Sequence, residues 1–282
     1  MKRILFVAFA LAFVFAMSPG ARADTFDMFD NISAPPGTFA LLTYFGYQHY
    51  GEVDVDGDSV DIPKLDIGYV AFRPIYYLPK IFGHSWGFNG VLPFSGISQH
   101  GFDSSVGIGD IVISPFIYLY ENCHNNIYLS FWEFITAPTG KYDETKALNN
   151  GYDAWWFEHQ IAFGWYPGKF GFETNVNWWQ KQESSELEID YQDAIESEGV
   201  IHYGLTDKLR IGLHWDFWWD LDELEIGDAK IDNTREKIYR VGGAVMYFVS
   251  DKVFLSFRYL YDIEAENALK GHWAYARVAW IF

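Results

Sequence analysis

The sequence carries a single cysteine, Cys123, among 282 residues. One thiol cannot close an internal disulfide, and it rules out a cysteine-based metal site. No His-Glu-x-x-His helix or glycine-rich phosphate loop is present, so the common metalloprotease and nucleotide-binding signatures are missing. No enzyme activity, metal or cofactor is therefore expected. Basic residues are few: 20 Lys and Arg stand against 38 Asp and Glu, a formal net charge of -18. A nucleic-acid partner needs a basic footprint, and this balance argues against one. After Phe29 no apolar run reaches the roughly 20 residues that a helix needs to cross a bilayer, which argues against a helical membrane protein.

Aromatic residues, in contrast, are abundant. The 12 Trp, 19 Tyr and 25 Phe make up a fifth of the chain and are scattered through short segments. A transmembrane barrel needs such residues in girdles at both membrane interfaces. The chain opens with a basic head, Lys2 and Arg3, and an apolar run from Ile4 to Met17. Ser18, Pro19 and Gly20 break that run, and Ala21-Arg22-Ala23 is a small-x-small cleavage pattern. Residues 1–23 are thus expected to be a secretory signal peptide. Residues 24–37 are then a short N-terminal segment closed by Pro35-Pro36, and 38–282 the folded domain.

Apolar residues recur at a spacing of two, the period of a strand. Leu209, Ile211, Leu213, Trp215, Phe217, Trp219 and Leu221 form one such row, and Val253, Leu255, Phe257, Tyr259 and Tyr261 another. The same reading predicts twelve strands, at 38–51, 60–77, 84–96, 106–121, 126–138, 153–166, 169–181, 191–205, 208–221, 235–249, 252–264 and 271–282. Five connections are short and six are long (52–59, 97–105, 139–152, 182–190, 222–234 and 265–270). Tight periplasmic turns alternating with longer outside loops are the habit of outer-membrane barrels. Lipid offers backbone groups no partner, so a spanning sheet must close. The expected fold is all-β: a transmembrane antiparallel β-barrel of twelve strands, of the outer-membrane type, in the cell outer membrane of a Gram-negative bacterium. Its partners would be outer-membrane lipid and lipopolysaccharide, with the terminal Phe282 addressed to the barrel insertion machinery.

If the apolar faces meet lipid, the alternate positions line the lumen. The expected lining includes Asp66, Asn89, Glu173, Asn175, Glu198, His202, Arg210, His214, Asp216, Arg240, Arg258 and Arg277. Four of these are arginines on successive strands, able to face the carboxylates as a basic ladder across a pore or to fill the lumen with salt bridges. In the N-terminal segment Phe26, Met28 and Phe29 are candidates for a plug inserted into the lumen, the alternative being a periplasmic tail. Pro93 and Pro115 remove ladder donors inside strands, where proline marks a distortion, and such a break can open the wall towards lipid. His159 is a possible outward histidine, but no serine stands in a matching hairpin position.

The mature chain resembles the outer-membrane channel family involved in the meta-pathway of phenol degradation. The likeness is carried by Pro35-Pro36-Gly37-Thr38 leading into Tyr44, Gly107-x-Gly109-Asp110, Ala137-Pro138 before the Thr139-Gly140 loop, and the Phe282 end. The resemblance implies a monomeric twelve-stranded barrel and passage of small, hydrophobic or aromatic molecules. A structural or surface-binding barrel with a closed lumen remains the alternative, and a lipid-active enzyme a more distant one.

Overall fold

The computed structural model describes residues 26–184, 188–227 and 229–282, and the expected signal peptide lies outside them. The chain forms strands β1 (Phe39–Val55), β2 (Asp58–Ile81), β3 (His84–Gln99), β4 (Ser104–Ile108), β5 (Ile111–Asn122), β6 (Ile127–Ala137), β7 (Trp156–Trp165) and β8 (Phe170–Lys181). There follow β9 (Ile189–Asp190), β10 (Ala194–Gly204), β11 (Leu209–Asp220), β12 (Leu224–Ile226), β13 (Ala229–Ile231), β14 (Lys237–Ser250), β15 (Val253–Glu266) and β16 (Leu269–Ile281). β4 and β5 are two pieces of one wall strand. With that pair counted once, twelve antiparallel strands close on themselves. β1 pairs with β16 from Ala40↔Ile281 to Val53↔Leu269, so first and last strands meet with their ends level. β9, β12 and β13 make a separate small sheet at the loop end.

Every wall strand lies where the two-residue period predicts it. Two of the expected long loops are instead tight hairpins. β1 and β2 run on to a turn at Asp56-Gly57, both with positive φ (56° and 84°), which an Asp-Gly pair supplies with little strain. β15 and β16 likewise run on to a turn at Asn267 and Ala268, with Asn267 at φ 51°. The 222–234 loop carries the β12–β13 hairpin.

Alternation separates two environments. Outward rows such as Phe45, Val176, Leu213 and Phe257 are exposed, with Leu213 70% accessible. The inward rows are buried and mixed in polarity. Tyr44, Leu65, Ile67 and Tyr69 form one apolar patch, while Glu173, Asn175, Arg258 and Arg277 are buried polar groups. Against hydrocarbon an outward charge near midplane costs about 2–4 kcal/mol, whereas an inward charge meets partners. One expected lumen residue is on the other face. Asp66 points outward, where it accepts from Tyr47 Oη (2.5 Å) and meets His49 Nδ1 (2.7 Å). On that stretch of β2 the apolar Leu65 and Ile67 take the inner positions, because Leu148 from the 139–152 loop packs there and makes the interior dry. The sign of the alternation is inverted locally, and polarity alone misassigns the face.

Outward aromatics also close over glycines. Gly199 of β10 pairs with Trp215 of β11, and a Cβ on Gly199 would stand 1.9 Å from the indole ring. Gly199→Val is expected to lower stability by about 1–3 kcal/mol through overpacking. Urea-induced unfolding in detergent micelles, followed by heat-modifiable gel mobility, reads this directly. An unchanged midpoint would show that the ring swings aside freely.

Candidate functional site: the occupied lumen

Three groups of residues occupy the interior: the N-terminal segment near the short-turn end, the 139–152 loop near the long-loop end, and the wall between them. Pro35-Pro36-Gly37 turns the chain at the rim before β1, with Gly37 at φ 87° and its N–H bonded to the Tyr77 carbonyl. The preceding residues therefore run back inside the barrel. Phe26 and Met28 are buried with Val200, Ala244 and Met246, and Phe29 packs against this cluster. Phe29 stacks on Tyr166 at 5.3 Å between centroids and lies edge-on to His202 at 5.0 Å.

Polar bonds hold this segment to strands around the circumference. Glu173 of β8 accepts from the backbone N–H of Phe29 (2.6 Å) and of Asn31 (3.1 Å). That pairing secures Phe29 at φ 68°, a left-handed conformation costly for an aromatic residue. Asn31 Nδ2 donates to Asn175 Oδ1 (2.8 Å) and to the Phe163 carbonyl (3.1 Å). Arg277 of β16 donates to the Met28 carbonyl (2.9 Å) and pairs with Asp30 and Asp27. Arg258 of β15 donates to the Phe26 carbonyl, and Ser256 to Asp27. Arg73 of β2 reaches Asp30 (3.3 Å) and Asn89 Oδ1 (3.3 Å). Arg210 Nε donates to His202 Nδ1 (2.9 Å), and His202 Nε2 meets Glu173 (3.2 Å). His214 lies edge-on to Phe26 at 5.6 Å.

The charges do not form a ladder of arginines facing Glu173, Glu198 and Asp216, the arrangement weighed above against salt bridges filling the lumen. They are sorted by depth. Arg73, Arg210, Arg258 and Arg277 gather around the N-terminal segment. Arg240 is alone among the four arginines of the ladder in standing higher up, between Asp216 and Asp262 (2.7 Å), with its guanidinium over the Trp273 ring at 3.3 Å. Glu198 is the register partner of Asp216 in the same row. Sequence reasoning had no means of seeing that Asp27 and Asp30 complete the lower set.

At the loop end, Asp110 is the organising residue, and it carries no role in the sequence beyond its place in Gly107-x-Gly109-Asp110. Its Oδ1 accepts from the N–H groups of Thr139 (2.9 Å) and Gly140 (2.7 Å), and its Oδ2 from Tyr152 (2.8 Å). Both ends of the 139–152 loop are thereby tied to one carboxylate. Gly140 and Gly151 are in such close approach that a Cβ on either would fall 2.7 or 2.9 Å from the other's Cα. Asn150 follows into the interior and donates to Ser95 Oγ (2.7 Å) while accepting from Ser105 Oγ (2.6 Å). Asp110 also divides β4 from β5, so the expected single strand over 106–121 is interrupted there.

A cavity remains between the two insertions, with about 1100 Å³ of empty space including the part continuous with solvent. Phe26, Asp30 and Asn31 form its floor and Asn150 and Tyr152 part of its side. Trp132, Phe134, Trp156 and Trp179 make an aromatic wall; Tyr152 lies against Trp156 at 3.7 Å. Beyond the mouth Tyr191 meets Trp156 edge-on at 5.6 Å, and burial beside Tyr142 and Tyr152 pushes its phenol far above the usual range, so it remains a neutral hydroxyl. The wall beside this cavity has a lapse in one ladder. β5 pairs with β6 through Ile113↔Ile135 and again, in the same register, from Phe116↔Trp132, while Ser114 and Pro115 between them pair only with β3. On the outer surface His159 bonds through both ring nitrogens, to Glu133 (2.6 Å) and Gln180 (2.9 Å).

A sequence model of the family described as putative MetA-pathway of phenol degradation matches residues 52–278. The chain belongs to that family. The matched span contains Gly107-x-Gly109-Asp110 and Thr139-Gly140; it begins after Pro35-Pro36 and stops before Phe282. Among solved structures, an outer membrane channel from Pseudomonas putida F1 superposes with a TM-score of 0.84 at 20% identity, covering 91% of this chain and 100% of that one. The β domain of the Bordetella autotransporter Brka superposes with a TM-score of 0.50 at 12% identity, over 88% of this chain and 100% of that one. These likenesses establish the fold as that of outer-membrane barrels. No curated protein sequence matches.

The ion pairs of the N-terminal segment make a specific expectation. Removing one partner of a buried pair costs about 3–5 kcal/mol, chiefly because the other charge is left buried. The double substitution Asp27→Asn and Asp30→Asn should therefore loosen the segment from Arg73, Arg258 and Arg277. Single-channel conductance should rise and the segment should become open to added protease, whereas unchanged conductance and protection would show that apolar packing of Phe26 and Met28 suffices to hold it.

Proposed function

We propose that this protein is a channel of the Gram-negative outer membrane, admitting small apolar or aromatic molecules into the cavity above the N-terminal segment. The observation that carries this reading is the placement of the aromatic wall. Trp132, Phe134, Trp156 and Trp179 line a large space in the lumen, next to the stretch of wall where Ser114 and Pro115 leave the β5–β6 ladder. Apolar solutes gain from burial against aromatic rings, and a few polar groups set their orientation. Below the cavity the N-terminal segment fills the axis, so the break beside β5 offers a sideways exit towards lipid. The family's description points to phenol degradation, and the Pseudomonas putida relative is described as a channel; both accord with a path for small aromatic compounds.

The network around Glu173, Arg277 and Asp30 favours a second reading, a barrel closed by its own N-terminus that serves a structural or surface role. Uptake separates the two. A strain lacking the gene should take up a radiolabelled neutral aromatic compound slowly, and the wild-type protein should restore the rate. Thr136→Trp, which places an indole in the cavity without adding charge, should restore several-fold less. Equal uptake with and without the gene would leave the closed barrel as the better account.

A further inference from the structure

We propose that the cavity above the N-terminal segment binds organic cations, an ammonium or amidinium group on an apolar or aromatic body, in preference to neutral and anionic molecules of the same shape. The inference deepens the channel reading and rests on it only for the cavity's being a solute's path. Three observations carry it.

The first is charge. The carboxylates lining the cavity are Asp30, Asp110, Glu158, Glu196, Glu198 and Asp216, against the two guanidinium groups of Arg73 and Arg240. Behind the lining side chains Lys181, Arg258 and Arg277 stand against Asp27, Glu173 and Asp262, and these charges cancel in the balance. The excess is concentrated on β7 and β10, where Glu158, Glu196 and Glu198 project beside the aromatic wall. Glu196 accepts from Asn177 Nδ2 (2.9 Å) and Trp179 Nε1 (2.8 Å), neutral donors that orient the carboxylate without offsetting its charge. In a cleft with low-dielectric walls such an excess focuses the field and concentrates counter-ions.

The second is that the rings already hold cations. Arg240 lies over Trp273, Lys181 over Trp156 at 5.2 Å, and Arg73 near Trp132 at 5.8 Å. The quadrupole of an indole face attracts a cation, and quaternary ammonium ligands are recognised this way. The wall therefore has the electronic character that a cationic solute requires.

The third is a pair of unused donors. Trp156 Nε1 and Trp273 Nε1 are buried, line the cavity through their rings and have no hydrogen-bond acceptor. Both side chains are 4% accessible. A buried donor without an acceptor is costly, and a turn of either ring that brought its Nε1 to the cavity surface would let a solute oxygen relieve it. The favoured ligand thus pairs its cationic group with a hydroxyl, ether or carbonyl oxygen.

The test uses full-length purified protein in detergent, with tryptophan fluorescence as the readout and three probes of similar size: benzyltrimethylammonium, benzyl alcohol and phenylacetate. Affinity should fall in that order, with the cation ahead of the anion by about tenfold or more. Raising the salt concentration to molar levels should collapse the difference, since screening shortens the reach of the field. Combining Glu158→Gln, Glu196→Gln and Glu198→Gln should erase the order, with the cation's affinity falling to that of benzyl alcohol on the same variant. If the triple variant does not fold, Glu198→Gln alone and the salt series on the wild type carry the same expectation. Phenylacetate binding as tightly as the cation, an order that survives both high salt and the substitutions, or no binding of any probe would overturn the proposal. Failure here is separable from failure of the channel reading. Neutral aromatic uptake without cation preference sinks only the cation site, and cation binding without any uptake sinks only the channel.

Discussion

A sheet that spans hydrocarbon cannot leave an edge, because each unpaired N–H or C=O there lacks any partner. The pairing of β1 with β16 meets this demand, and the remaining features follow from it. Once the barrel is closed, half of all strand side chains point into a confined interior that lipid cannot reach. That interior needs its own contents. Here they are drawn from the same chain: the N-terminal segment from the short-turn end and the 139–152 loop from the other.

The two insertions solve the same problem by opposite electrostatics. Near the short-turn end the wall supplies mainly cations, with the Glu173 carboxylate beside them taking two N–H groups, and the inserted segment supplies carboxylates and carbonyls, as where Arg277 meets Asp30 and the Met28 carbonyl. Near the loop end the wall supplies a carboxylate, Asp110, and the inserted loop supplies backbone N–H groups. Buried charges are tolerable only when paired or fully hydrogen-bonded. Each insertion is therefore matched to the part of the wall it meets. Exchange of the two is not possible without stranding charge, and this gives the lumen a definite polarity along its axis.

Much of the architecture was legible because strand periodicity is a local property. Rows such as Leu209 to Leu221 declare a two-sided strand without reference to anything else in the chain, and the alternation of turn lengths counts the strands again. What was not legible depends on distant partners. Asp66 reads as an inward charge until Leu148, some eighty residues on, makes the interior beside it apolar. The Asp56-Gly57 pair could have shortened the first loop, since its turn preference is local, and reading 52–59 as an open loop missed that signal. Asp27 and Asp30 look like ordinary acids in a short tail. Their meaning arises only from three arginines contributed by β2, β15 and β16, which no spacing rule brings together.

The interruption at Asp110 shows how one side chain can trade wall continuity for interior content. A strand running unbroken through 104–122 would keep β4 paired on both sides, but it would leave the 139–152 loop without an anchor. With Asp110 turned to the loop, Lys141 N–H bonds to the Ile108 carbonyl in place of a neighbouring strand, so the wall there is completed by loop backbone. Just below, Pro115 has no N–H to contribute and the β5–β6 ladder lapses at Ser114 and Pro115. The cavity adjoins both places. Its aromatic side chains come from β6, β7, β8 and β16; β6 pairs without a break with β7, and β7 with β8, while the other edge of β6 borders the lapse. A recognition wall bordering such a lapse stays in place because the register runs on across it, from Ile113↔Ile135 to Phe116↔Trp132, and because Ser114 and Pro115 remain paired with β3 on their other side.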